Sequence, residues 1–305
     1  SSTDRYRQAT PRASFRVTKP STGATSRRST PPLRPPPCER VGRRPADLPG
    51  YHALDLTTAS GRDELRALLA APRPACVLLA HGPSDVTRID ANEATAAVVH
   101  HGVTEVAAAS GLPVVLVSTD NVFPGTRGGY RPDDPVQPAN GYGRVKVLAE
   151  EGVLAAAERG PGPRMSPRMN LVLRVSLVYG WTDVGLRATF AQRCLEAAAA
   201  ARAMSAPTDQ VFTPVYIRDV AAVLAAACRD PGRLTGIHHL AGPTELSRYD
   251  FARLAYQLAG ADPNLVIPCL RADTEWACRP EYSCLESMKG FIAETDIEPV
   301  PITST

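Results

Sequence analysis

Apolar and polar positions in this chain follow blocks of differing period, and the blocks alternate. Val114-Val115-Leu116-Val117 is an unbroken apolar run that ends on Ser118-Thr119-Asp120, so 113–118 reads as a buried strand with hydroxyls at its end. Upstream, 63–71 reads as a short helix, 75–80 as a buried strand and 91–110 as a long helix. Downstream, a helix carrying Tyr142 runs to about residue 158 and 170–175 reads as a further strand. Strands separated by helices of this length imply βαβ units, hence a doubly wound α/β fold on a parallel sheet with right-handed crossovers. This domain is expected over 51–180. Residues 181–300 are expected mainly to build a smaller C-terminal lobe. The segments 187–203 and 211–217 contribute to it, and helices at 219–228 and 248–258 surround a strand at 237–240.

The first fifty residues break the pattern. They hold nine prolines, among them Pro31-Pro32 and Pro35-Pro36-Pro37, with no apolar periodicity. They also carry eleven Lys or Arg against three Asp or Glu, a net of +8, which leaves −5 on residues 51–305 of a chain whose overall charge is +3. Such a segment buries too little apolar surface to offset its ordering entropy, so 1–50 is expected to be a disordered basic leader. An organelle transit peptide is the alternative for it; its lack of interleaved aromatics argues against specific nucleic-acid binding. No apolar run approaches the roughly 18 residues of a membrane span. The seven cysteines include no C-x-x-C pair, which argues against zinc and against a disulfide framework and implies a reducing, cytoplasmic setting. His100-His101 are neighbours on a helix and His238-His239 on a strand, so within each pair the rings face different ways and no metal site is expected.

The candidate chemistry sits at the start of the central helix. Tyr142 and Lys146 are four residues apart, which places a phenol beside an ammonium. A tyrosine's reference pKa of about 10 is too high for a base at neutral pH, and Lys146 is expected to lower it. With Thr119 at the end of the preceding strand, hydroxyl, phenol and cation make a proton-transfer set.

The run from Val117-Ser118-Thr119-Asp120 through Tyr130-Arg131-Pro132 to Asn140-Gly141-Tyr142-Gly143-Arg144-Val145-Lys146 resembles the extended short-chain dehydrogenases/reductases, and within them the dTDP-4-dehydrorhamnose reductase family. Leu173-Arg174-Val175-Ser176, Asp209-Gln210, Ser247-Arg248-Tyr249-Asp250-Phe251 and Arg279-Pro280-Glu281-Tyr282-Ser283 extend the likeness over about 51–290. The resemblance implies a Rossmann-like domain and NADP or NAD as cofactor, with hydride delivered to the C4 ketone of a nucleotide-linked 6-deoxyhexulose. It makes Tyr142 the proton donor, Thr119 its partner on the same oxygen, and Lys146 the holder of the nicotinamide ribose. It also implies cofactor contacts from Asp55, Ala80, Ser118 and Arg174.

The chain departs from that family in five places, one of them around Val99-His100, where the family has an asparagine on the helix. No G-x-x-G-x-x-G occurs in the chain, so the first βαβ unit is expected to be degenerate or missing and cofactor binding to be weak or absent. Leu79-Ala80-His81 stands where the family has an Asn-Ala-Ala segment, Asn121 where a tyrosine is common, and Leu177 where tryptophan is frequent. Two readings therefore stand. One is a nucleotide-sugar reductase, with a homodimer as its assembly. The other is a non-catalytic protein similar to the regulatory β subunit of methionine adenosyltransferase, which would partner that enzyme's catalytic subunit, or else a cofactor-deficient pseudoenzyme.

Overall fold

The computed structural model describes residues 39–42, 50–71, 74–81, 85–158, 169–181 and 188–287. Most of the expected disordered leader, 1–50, lies outside these residues. Within it Arg40–Gly42 is a strand, β1, paired in parallel with Tyr51–Ala53, β2; a composition averaged over fifty residues hides three that pair through their backbone.

The chain continues through α1 (Ala59–Ala70), β3 (Val77–Leu79), α2 (Val86–Asp90), α3 (Glu93–Ala109), β4 (Val114–Thr119), α4 (Gly141–Glu158) and β5 (Leu171–Val175). The C-terminal part adds β6 (Val178–Tyr179), α5 (Phe190–Ala199), β7 (Met204–Pro207), β8 (Val211–Phe212), β9 (Val215–Tyr216) and α6 (Ile217–Arg229). It closes with β10 (Gly236–Leu240), β11 (Leu246–Ser247), α7 (Arg248–Leu258), β12 (Val266–Cys269) and β13 (Tyr282–Ser283). The expected helix at 63–71 starts earlier because Thr58 caps it, its hydroxyl accepting from Gly61 N at 3.0 Å. The helix expected at 91–110 is preceded by the separate turn of α2, capped by Asp85.

The main sheet is parallel throughout, in the order β10-β5-β4-β3, with β3 at its edge among the described residues. Period-two alternation serves two cores at once. Val114, Leu116 and Val172 face α1, α3 and α4, whereas Val115, Leu171, Leu173 and Val175 face α6 through Val220 and Val223. Helices on both faces make this a doubly wound α/β fold. β10, which the sequence pattern groups with the smaller lobe, returns to pair with β5, so the chain leaves the sheet after β5 and re-enters it at residue 236. The smaller lobe packs α5 and α7 with β7, β8 and β12 around Phe190, Phe212, Phe251, Tyr256 and Trp276. No helix among the described residues is long and apolar enough to cross a membrane.

Candidate active site

The C-terminal ends of β3, β4 and β5 open into a cavity of about 420 Å³, which is where ligands enter parallel α/β sheets. Ala80, Ser118, Thr119, Tyr142 and Lys146 all line it, so five of the seven residues singled out in the sequence converge.

The head of α4 is built to hold Tyr142 against the end of β4. Asn140 caps the helix, accepting from Gly143 N at 2.9 Å, and its amide donates to Asn121 Oδ1 at 3.0 Å and to the Cys278 carbonyl at 3.1 Å. Gly141 N donates to Asp90 Oδ1 at 2.7 Å, and Arg144 pairs with Glu93 at 2.7 Å, which fastens α4 to α2 and α3. A side chain at Gly143 would place Cβ 2.0 Å from the Asn121 carbonyl oxygen, so only glycine permits this approach. Thr119 Oγ1 donates to Asp120 Oδ1 at 3.0 Å and accepts from Asn121 N at 3.2 Å.

The electrostatics differ from the sequence expectation. Tyr142 is not lowered by Lys146. Burial and the neighbouring Asp120 push its phenol up to about 12, against the opposing pull of Arg279 and of the Thr119 hydroxyl. Lys146 is not among the groups that set that value; its Nζ donates to the Val117 carbonyl at 3.0 Å, and its own pKa falls to about 8 through burial, opposed by Glu150. Tyr142 is therefore a protonated acid at neutral pH, while Lys146 is a cation near its titration point.

Asp55 and Arg174 lie outside the cavity lining. Asp55 accepts from Thr57 N at 3.0 Å and Thr57 Oγ1 at 2.6 Å, ordering the turn before α1. Arg174 is 2% exposed; its Nη2 donates to Glu150 Oε2 at 2.7 Å and its Nη1 to the Pro132 carbonyl at 3.3 Å. Ser118 borders the cavity, but its hydroxyl donates to the same Glu150.

Other residues complete the site. Asp120 is buried beside Tyr142, its carboxyl raised by burial against hydrogen bonds from Ser283, Thr119 and Asn121. His81 reaches the cavity with both ring nitrogens sealed from solvent and without a well-formed hydrogen bond; burial first, then Lys146, lowers it to about 4. From the smaller lobe come Gln210, Phe212, Arg248, Arg279 and Ser283. Asp120 was legible as part of the Ser-Thr-Asp strand end. Arg248 and Arg279 lie in segments that carry the family likeness, but their meeting at one cavity had no local signal, since they come together only through the tertiary fold.

A family model described as the RmlD substrate binding domain matches residues 50–300. A probable dTDP-4,6-dihydroxy-2-methyloxan-3-one 4-ketoreductase of Streptomyces antibioticus is 32% identical over 243 residues, covering 77% of this chain and 76% of its own. A dTDP-4-dehydrorhamnose reductase of Mycobacterium tuberculosis (strain ATCC 25618 / H37Rv) is 29% identical over 267 residues, covering 80% and 83%. Among solved structures, dTDP-4-dehydrorhamnose reductase from Bacillus anthracis str. Ames in complex with NADP has the same fold, with a TM-score of 0.66 at 21% identity and coverage of 81% and 83%.

Proposed function

The chain belongs to the RmlD substrate-binding-domain family, and from that premise we propose that it is an NAD(P)H-dependent reductase of a nucleotide-linked 4-keto-6-deoxy sugar. The observation that carries this reading is the convergence of Thr119, Tyr142 and Lys146 on one cavity at the C-terminal edge of the sheet. The relatives reported above are reductases by name, and the regulatory-subunit reading draws no support from them.

The residues fit the nicotinamide end of the cofactor. Lys146 is a buried ammonium whose hydrogen bond to one carbonyl leaves further donors for ribose hydroxyls, and Ala80 and His81 border the same cavity. Ala80, Ser118, Tyr142 and Lys146 would hold that end. Asp55 would act only from the loop before α1, and Arg174 only at one remove, by fixing Glu150. Nicotinamide chemistry, with the cofactor bound, supplies the hydride. Tyr142 gives its proton to the developing alkoxide, and the Thr119 hydroxyl, turned from Asp120, donates to the same oxygen. A phenol raised to about 12 is protonated at neutral pH and so available to donate, although the same rise makes it a weaker acid than free tyrosine.

The test is the loss of NADPH absorbance with a dTDP-4-keto-6-deoxyhexulose. Tyr142→Phe is expected to cut kcat by about 10²–10⁴-fold while leaving the Kd for NADP unchanged. Loss of cofactor binding in the same variant would assign Tyr142 a structural role instead.

A further inference from the structure

We propose that Arg248 is the seat of the substrate's diphosphate, an inference that rests on the nucleotide-sugar reading. Arg248 is the first residue of α7 and is 2% exposed, yet it borders the cavity. Its guanidinium sits in an aromatic box, 4.4 Å from the ring centre of Phe190, 4.5 Å from Trp276 and 5.4 Å from Phe212. Gln210 fixes its orientation: Nε donates to Gln210 Oε1 at 2.8 Å and the backbone N to the Gln210 carbonyl at 2.9 Å. Nε is the only guanidinium nitrogen with a hydrogen bond among the described residues.

The charges around it are of the wrong sign for a structural ion pair. Among the described residues no carboxylate lies within salt-bridge distance of Arg248. The charges felt most strongly are the cations Arg279 and Arg193, and the nearby acid Glu275 is engaged by Arg193 at 3.0 Å. Asp120 interacts with Arg279 and is engaged by hydrogen bonds from Ser283, Thr119 and Asn121. A buried cation without an anion is costly, and cation–π stacking offsets only part of that cost. A planar fork whose two Nη groups make no hydrogen bond among the described residues, on a side chain that borders a cavity, matches two phosphate oxygens.

The substrate supplies that anion more naturally than the cofactor does. Arg248 and its box belong to the smaller lobe, whereas Tyr142, Lys146 and Ala80 come from the sheet domain. A sugar whose ketone meets Tyr142 would extend its diphosphate toward the lobe. Arg279 borders the same cavity and adds a second positive charge.

The experiment titrates dTDP, thymidine and NADP separately into wild type and Arg248→Met, with thermal unfolding of both. Methionine keeps the volume and removes the charge, so the variant is expected to unfold at the same or a higher temperature. Its Kd for dTDP should rise about tenfold or more, with thymidine and NADP unchanged. The inference is overturned if wild type fails to bind dTDP, if the variant binds it equally well, or if NADP binding falls instead. It is also overturned if Tm and all three affinities drop together, which marks a structural arginine. Arg248-dependent dTDP binding in a protein that never oxidises NADPH with the keto-sugar would leave the seat standing and remove the reductase reading. Turnover by Arg248→Met at unchanged KM would do the reverse.

Discussion

The pKa of Lys146, brought down to about 8 by burial, puts the cation needed for ribose binding at risk just above neutral pH. Below that value the ammonium is present; above it the side chain becomes a neutral amine, and its attraction for ribose oxygens weakens. Because kcat/KM reports the free protein, kcat/KM for NADPH is expected to be level up to about pH 8 and then to fall about tenfold per unit. A profile level to pH 10 would show that Lys146 keeps its charge by other means. Glu150 raises the Lys146 pKa, so Glu150→Gln should shift the break to lower pH. Tyr142 adds no break in this range, since its phenol titrates near 12. Sequence spacing placed phenol and ammonium correctly on one helix. The direction of the tyrosine's shift was not legible, because it depends on burial and on Asp120, which arrives from another element.

At the scale of elements, the junction of α4 with the ends of β4 and β5 holds the chemistry in place. Gly143→Ala would drive a methyl into the Asn121 carbonyl, and the head of α4 would have to retreat from Thr119. Overpacking of this kind costs about 1–3 kcal/mol, so Tm is expected to fall by several degrees with kcat lowered and urea m-value unchanged. Beneath this contact lies the Arg174–Glu150 pair, 3% and 4% exposed. Removing one partner strands a buried charge, so Arg174→Met alone is expected to cost about 3–5 kcal/mol, and adding Glu150→Leu should restore most of it; equal losses in single and double variants would refute this coupling. Strand parity explains why Arg174 is here and not in the cavity. Val172 faces α4, so Arg174, two residues on, meets Glu150 of that helix. The same parity carries Ser118 from Leu116 to Glu150. This was readable from the period-two pattern of the strands. Likeness to a motif marked both positions, but it could not say which way their side chains turn.

For the whole molecule, β10 matters because its return to the sheet joins the two lobes, and it does so around a histidine. His239 is fully buried; its Nδ1 meets the Tyr130 carbonyl at 3.1 Å and its ring stands edge-on to Phe123, 5.6 Å between centres. Tyr130 in turn bridges to Leu285, so sheet, loop and C-terminal segment meet there. The sequence grouped this strand with the smaller lobe because linear order cannot reveal a crossover that spans 60 residues before pairing with β5. Burial, followed by the positive charge of Arg174, holds His239 at about 4, with Tyr130 and Asp134 opposing. The folded pKa lies below the unfolded 6.5, so the unfolded chain binds the extra proton between these values. The histidine's contribution is complete above pH 6.5 and is lost as the pH falls toward 4, by at most about 3 kcal/mol. His81, also near 4, acts with the same sign. Urea unfolding from pH 7 to 4.5 is therefore expected to show the midpoint dropping more steeply in wild type than in His239→Asn, whose amide can still donate to Tyr130. Asp120 and the other acids are present in both proteins, so the difference in slope isolates His239. Parallel slopes would mean that the proton is accommodated in the folded state and that acid unfolding begins elsewhere.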